Sequence, residues 1–177
     1  MRKLRIEELN RISIEEFREA EKIPVTVVLD NVRSLNNIGS VFRTCDAFRI
    51  KKIYLCGITA KPPHKDIHKT ALGATESVDW EYVKETTELI KKLKNSGYTI
   101  FSAEQTDKST SLEDLSLSSG KKYALVFGHE VKGVDQKVID LSDESLEIPQ
   151  YGTKHSLNIS VSAGIIIWEV FKKLKKK

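Results

Sequence analysis

An arginine stands four residues after a glycine and six after an asparagine in the run Asn37-x-Gly39-x-x-x-Arg43, just beyond the β-branched stretch 25–30. A guanidinium is a planar fork of donors that keeps its charge in proteins, so its natural chemistry is to grip phosphate or carboxylate. Two later segments place polar groups among glycines: Phe127-Gly128-His129-Glu130-Val131-Lys132-Gly133-Val134, and residues 148–158, where Ile148 and Gly152 precede Ser156-Leu157-Asn158. Each glycine loop follows an expected strand, Gly128 directly after Phe127 and the stretch 149–152 directly after Ile148. Glycines at such junctions let backbone N–H and C=O groups touch a ligand, a mode that suits the edges of an adenosine.

These groups need elements to position them. Ile38, Val41, Phe42, Cys45 and Phe48 recur at helical spacing, which predicts an amphipathic helix with this stripe on the core. Arg43 lies off the stripe. Asn36, Gly39 and Arg43 share a face whose middle position has no side chain, which leaves room for something bulky to approach the arginine. Asn36 or Asn37 is the expected N-cap, and the free N–H groups there would welcome an anion.

Other chemistries lose their support. Gly128 and Gly133 bracket four residues as in a phosphate-binding loop, but Val134-Asp135 stands where that loop needs Lys and then Ser or Thr. Asp30-Asn31-Val32 follows the first strand without Gly-x-Gly-x-x-Gly, so the dinucleotide signature is missing. His64-x-Asp66-x-His68 has metal-like spacing without a third ligand, and no metal is expected. His129 and His155 are placed either to touch substrate or to tune their loops.

The chain alternates strands and helices. A charged helix over residues 6–20 is followed by strands near 25–30, 52–56, 78–82, 98–103, 123–127 and 145–148. Helices are expected over 36–48, over 86–95 before Gly97, briefly after Val134, and from Asn158 into the lysine tail. The segment after Pro62-Pro63 reads as a loop, and 109–119 as a loop with one helical turn. Continuously apolar strands between helices imply a parallel α/β sheet covered on both faces. The last helix is apolar nearly all round, through Ile165-Ile166-Ile167-Trp168 and Val170-Phe171, so it must be covered on more than one side. On the residues alone, the cover can come from the same subunit or from a second copy.

The three segments, in this order and spacing, resemble the motifs of the SpoU/TrmH branch of the SPOUT superfamily of RNA 2′-O-ribose methyltransferases. The resemblance covers residues 25–171 and implies an α/β-knot fold with a C-terminal trefoil knot, S-adenosylmethionine as cofactor and a homodimer. It divides the chain into an N-terminal helical extension, 1–22, and a methyltransferase domain, 23–177. By this match Phe127, Gly128, Ile148 and Leu157 contact the cofactor, with Glu130 and Gly152 shaping the loops. Arg43, Ser156 and Asn158 are active-site residues, and Asn37 orients the arginine loop. The implied reaction is methyl transfer to a ribose 2′-hydroxyl of RNA. That hydroxyl is a poor nucleophile at neutral pH, so a site must remove its proton or hold it in line with the methyl donor. Arg43 has two roles open to it: a fork on the phosphate beside the target ribose, or the base itself.

Composition is compatible. The chain has 177 residues, 40% hydrophobic and 31% charged, with a net charge of +4. Lysines gather at Lys61, Lys65 and Lys69 and in the run Lys172-Lys173-Leu174-Lys175-Lys176-Lys177. Each cluster alone reads as a solvated face, but the sum leans toward a polyanion, and Lys61, Lys65 and Lys69 are expected to face RNA phosphate together with Arg43. No apolar run is long enough to cross a bilayer and the amino terminus lacks a signal-peptide pattern, so a cytoplasmic protein is expected. Cys45 and Cys56 read as buried thiols in a reducing compartment. Only about two dozen residues precede the first core strand, and that compactness tips the expectation from rRNA toward tRNA. The competing reading is a non-catalytic RNA-binding module of the same fold. Against it, Asn37, Gly39, Arg43, Glu130, Ser156 and Asn158 are all present.

Overall fold

The computed structural model describes residues 1–175 of the chain. In its sheet, β1 (Ile23–Asp30) is paired on one side with β2 (Ile50–Cys56) and through it with β3 (Trp80–Val83). On the other side come β6 (Lys122–Phe127), β4 (Tyr98–Ala103), β7 (Glu144–Glu147) and the short edge strand β5 (Thr110–Ser111). The order is β3-β2-β1-β6-β4-β7-β5 and every pair is parallel.

Helices cover both faces, which explains why the strands are apolar at successive positions rather than alternating ones. Val25, Val27 and Leu29 of β1, with Leu125 and Phe127 of β6, point toward α2 (Leu35–Ala47) and α7 (Ile159–Lys175). Val28, Ala124 and Val126 point the other way, toward Leu89, Ile90 and Leu93 of α5 (Thr86–Asn95) and Val138 of α6 (Gln136–Leu141). Cys45 and Cys56 are free, buried and on opposite sides of the sheet. Burial pushes both thiols up, Cys56 to about 12.

Because β1, β6, β4 and β7 are parallel neighbours, the loops after Asp30, Phe127, Ala103 and Glu147 gather at one edge of the sheet, where ligands of α/β folds sit. The buried carboxylate of Asp30 holds that edge together. It accepts from Thr86 Oγ1 (2.6 Å), Asn31 Nδ2 (2.9 Å) and the N–H of Asp135 (3.2 Å), and so ties the starts of α5 and α6 to the end of β1.

Four local expectations are corrected. The first helix is not continuous: a 3-10 turn, Ile6–Leu9, ends at Asn10 in a left-handed conformation (φ 46°), and α1 (Ile14–Glu19) starts afresh at Ser13, which forms a capping box with Glu16. Phe17 of α1 is buried in the core. The cap of α2 is Ser34, whose Oγ accepts from the N–H of Asn37 (3.3 Å), so Asn36 and Asn37 lie inside the helix. The segment after Pro62-Pro63 contains α3 (Lys65–Ala71), started by His64, whose Nδ1 accepts from the N–H of Asp66 (3.2 Å). That cap gives His64 a structural role at the start of α3. A second short helix, α4 (Ala74–Ser77), follows. Within 109–119 the loop contributes β5, which pairs with β7 (Thr110 with Leu146).

The α7 helix is buried along Ala163, Ile166, Ile167 and Val170, while Val161 (50% exposed), Ile165 (38%) and Trp168 (49%) form a second apolar stripe facing outward. Of the lysine run that ends the chain, Lys176 and Lys177 lie outside the described residues.

Candidate active site

Between the β6, β4 and β7 loops lies a cleft of about 1120 Å³. Phe127, Gly128, Glu130, Ile148, Ser156, Leu157 and Asn158 line it, so two of the three sequence motifs meet there. Gly152 does not; open space surrounds the position its Cβ would take. The loop after β6 closes on itself through an exchange of backbone hydrogen bonds between His129 and Gly133 (3.0 and 2.8 Å). Gly133 adopts φ +70°, and a Cβ on Gly128 would lie 2.2 Å from Gly133 C and Val134 N, so only glycine allows this closure. Nδ1 of His129 accepts from the N–H groups of Val131 (3.0 Å) and Lys132 (3.4 Å), which makes this histidine a loop brace.

The first motif joins through side chains. Glu130 reaches the start of α2, where its carboxylate accepts from the N–H of Arg33 (3.0 Å), the N–H of Ser34 (2.8 Å) and Nδ2 of Asn37 (3.2 Å). The anion expected at this helix start is therefore the protein's own. Partial burial pushes the Glu130 carboxyl up, but the hydrogen bonds from Arg33, Ser34, its own N–H and Asn37 outweigh that, and it titrates below the usual carboxylate range. Oδ1 of Asn37 accepts in turn from Nδ2 of Asn158 (3.2 Å), whose Oδ1 is held by Ser160 N–H (2.9 Å) and Oγ (2.6 Å). One polar chain thus passes from Glu130 through Asn37 to Asn158 and unites all three motifs at the mouth of the cleft. The Ser156 hydroxyl makes no hydrogen bond among the described residues and remains available.

Arg43 is placed elsewhere. It lies exposed further along α2, in a separate depression with Ser40, Thr44, Phe48, Lys69 and Thr70, and does not line the cleft. The room expected beside Gly39 is also taken. A Cβ there would stand 2.1 Å from Thr70 Oγ1 and 2.3 Å from the Ile67 carbonyl oxygen, so the missing side chain serves the seating of α3 against α2. That seating puts Lys69 beside Arg43, with Lys65 one turn earlier on α3. Lys61 lies apart from them, with its Nζ 4.6 Å from the centre of the Tyr82 ring.

Sequence reasoning missed Glu104 and Gln105, which follow β4 and line the cleft. Oε2 of Glu104 accepts from the N–H of Val134 (3.1 Å), and Nε2 of Gln105 donates to the carbonyl of His155 (2.9 Å). In the sequence they are two ordinary polar residues at the end of a strand.

The family model described as the SpoU rRNA Methylase family matches residues 24–168. The chain is 29% identical over 168 residues to the tRNA (guanosine(18)-2'-O)-methyltransferase of Aquifex aeolicus, a match that covers 93% of this chain and 76% of that protein. With the enzyme of the same name from Thermus thermophilus it shares 28% identity over 165 residues, 92% of this chain and 81% of the relative. The crystal structure of an A. aeolicus TrmH/SpoU tRNA modifying enzyme superposes with a TM-score of 0.81 at 26% identity, over 92% of this chain and 83% of that one. With all three motifs inside the matched span, the chain belongs to the SpoU rRNA methylase family.

Proposed function

We propose that this protein transfers a methyl group from S-adenosylmethionine to a ribose 2′-hydroxyl of a tRNA, working as a homodimer in the cytoplasm. The observation that carries the reading is the hydrogen-bonded chain Glu130–Asn37–Asn158, which gathers the three motifs beside the cleft. Both matched relatives quoted above are named for 2′-O-methylation of tRNA.

The cleft's lining fits an adenosine-bearing cofactor. It has room for a nucleoside, apolar walls in Phe127, Ile148 and Leu157, and a loop, 150–156, whose backbone N–H groups make no hydrogen bond among the described residues. Phe127, Gly128, Ile148 and Leu157 would hold the cofactor, with Glu130 and Gly152 setting the loops. When bound, S-adenosylmethionine supplies an electrophilic methyl group. The protein's part is to present the nucleophile. Asn158 is fixed by Asn37 and Ser160, and Ser156 offers a free hydroxyl, so together they can orient the ribose. Arg43 with Lys69 grips the neighbouring phosphate and eases ionisation of the 2′-hydroxyl.

A homodimer accounts for two features at once. Val161, Ile165 and Trp168 give α7 an outward apolar stripe of the kind a second copy covers, and a second copy can bring its Arg43 to a cleft that lacks one. We further read the loops 128–135 and 148–158 as the threaded part of a trefoil knot, as in the family's fold. Residues 1–22 are read as an extension docked by Phe17, and Lys61 and Lys65 as outer RNA contacts. The two buried free thiols suit a reducing cytoplasm.

Calorimetric titration with S-adenosylmethionine tests this directly. Binding by both wild type and Arg43→Ala, with methyl transfer lost only in the mutant, supports the assignment. No binding by the wild type favours the non-catalytic RNA-binding module instead.

A further inference from the structure

Two consecutive residues at the end of β4 reach in opposite directions. Glu104 holds the loop after β6: its Oε2 accepts from Val134 N–H at 3.1 Å, and a Cβ added to Gly133 would lie 2.1 Å from the same oxygen. Its own N–H is anchored on the Leu146 carbonyl of β7 (3.1 Å), and its Oε1 accepts from the N–H of Gln105 (2.9 Å). Gln105 holds the other loop, donating through Nε2 to the His155 carbonyl at 2.9 Å. Among the described residues this is the only hydrogen bond that reaches residues 150–157.

The asymmetry is informative. The loop after β6 is closed by its own backbone bonds and by Glu104, whereas the loop carrying Gly152, Ser156 and Leu157 is tied by one side chain. A loop without internal hydrogen bonds samples many conformations, and each must be given up when a ligand is bound. A tether that holds it beforehand lowers that cost.

We propose that Gln105 is a positioning residue of the methyl-transfer site: it pre-sets the separation of the two cofactor loops and thereby raises affinity for S-adenosylmethionine. This rests on the reading of the cleft as the cofactor site. Gln105 needs no contact with the reacting atoms for this role.

The test compares the full-length protein with Gln105→Ala and Gln105→Glu. The alanine removes the donor, and the carboxylate turns an acceptor toward the His155 carbonyl. Backbone ¹⁵N order parameters without cofactor should fall at Gly152–His155 from about 0.85 to below about 0.6 in both variants. Calorimetry should show S-adenosylmethionine binding weakened about fivefold in Gln105→Ala and at least as much in Gln105→Glu, the loss of one ordinary hydrogen bond. The KM for the cofactor should rise in parallel, while kcat at saturation shifts less than about twofold. Unchanged order parameters in both variants overturn the proposal, and weakened binding over an unchanged loop would make Gln105 a direct contact instead. Should the wild type bind no S-adenosylmethionine, the cofactor reading fails while the relaxation data still decide on the tether.

Discussion

At the scale of single residues, Glu130 carries the most. Its carboxylate is an internal anion at the start of α2, where two backbone N–H groups and an asparagine amide meet it. Glu130→Gln keeps one acceptor and loses the charge, and because the group is partly solvated we expect a loss of about 1 kcal/mol in urea unfolding at pH 7. The sign with pH follows from the depressed folded-state pKa. The stabilisation is fully present above the unfolded value, about 4.3, and is lost as pH falls through the lower folded value, so wild type and mutant should converge in acid. An equal difference at pH 7 and pH 2.5 would contradict this. Of the residues that line the cleft, Phe127 and Ile148 are legible as strand ends before glycine loops, whereas Leu157 is marked only by the resemblance to the family's motifs. The partner of Glu130 is not legible, since the start of α2 lies about a hundred positions away and only tertiary structure joins them.

Among elements, the contact of α2 with α3 governs where the positive charges stand. Gly39 permits it: Thr70 Oγ1 also donates to the Asn36 carbonyl (2.9 Å), so the two helices touch backbone to side chain. Gly39→Ala forces them apart. We expect a loss of about 2 kcal/mol and a melting temperature lower by about 4–8 °C, with tRNA affinity falling as Lys69 leaves Arg43, while S-adenosylmethionine binding changes little. Calorimetric melting and a filter-binding assay check the two halves. The parallel sheet could be read from its strands because burial on both faces leaves continuous apolar runs. The helix α3 could not, since prolines mask a start that depends on His64 capping its own neighbour, and strand order depends on crossovers that leave no local pattern.

For the whole molecule, the proposed methyl transfer requires Arg43 to reach the cleft. The chain carries the hydrogen-bonded polar network and the cleft loops at one edge of the sheet and the Arg43 guanidinium in a separate depression, and α7 shows an outward apolar stripe. The sequence already marked α7 as needing cover on more than one side, but which side was open required the packed core. Ile165→Asp puts a charge on that stripe without touching the buried face, so sedimentation should show a monomer in place of a dimer, still folded by circular dichroism and inactive in methyl transfer. An active monomer would remove the second copy from the account. The reaction itself is tested most directly by incubating an unmodified tRNA with the protein and S-adenosylmethionine labelled in its methyl group, then digesting the RNA to nucleosides. Label in a single 2′-O-methylated nucleoside is expected with wild type and none with Arg43→Ala. Label on a base, or equal transfer by the mutant, would contradict the proposed reaction.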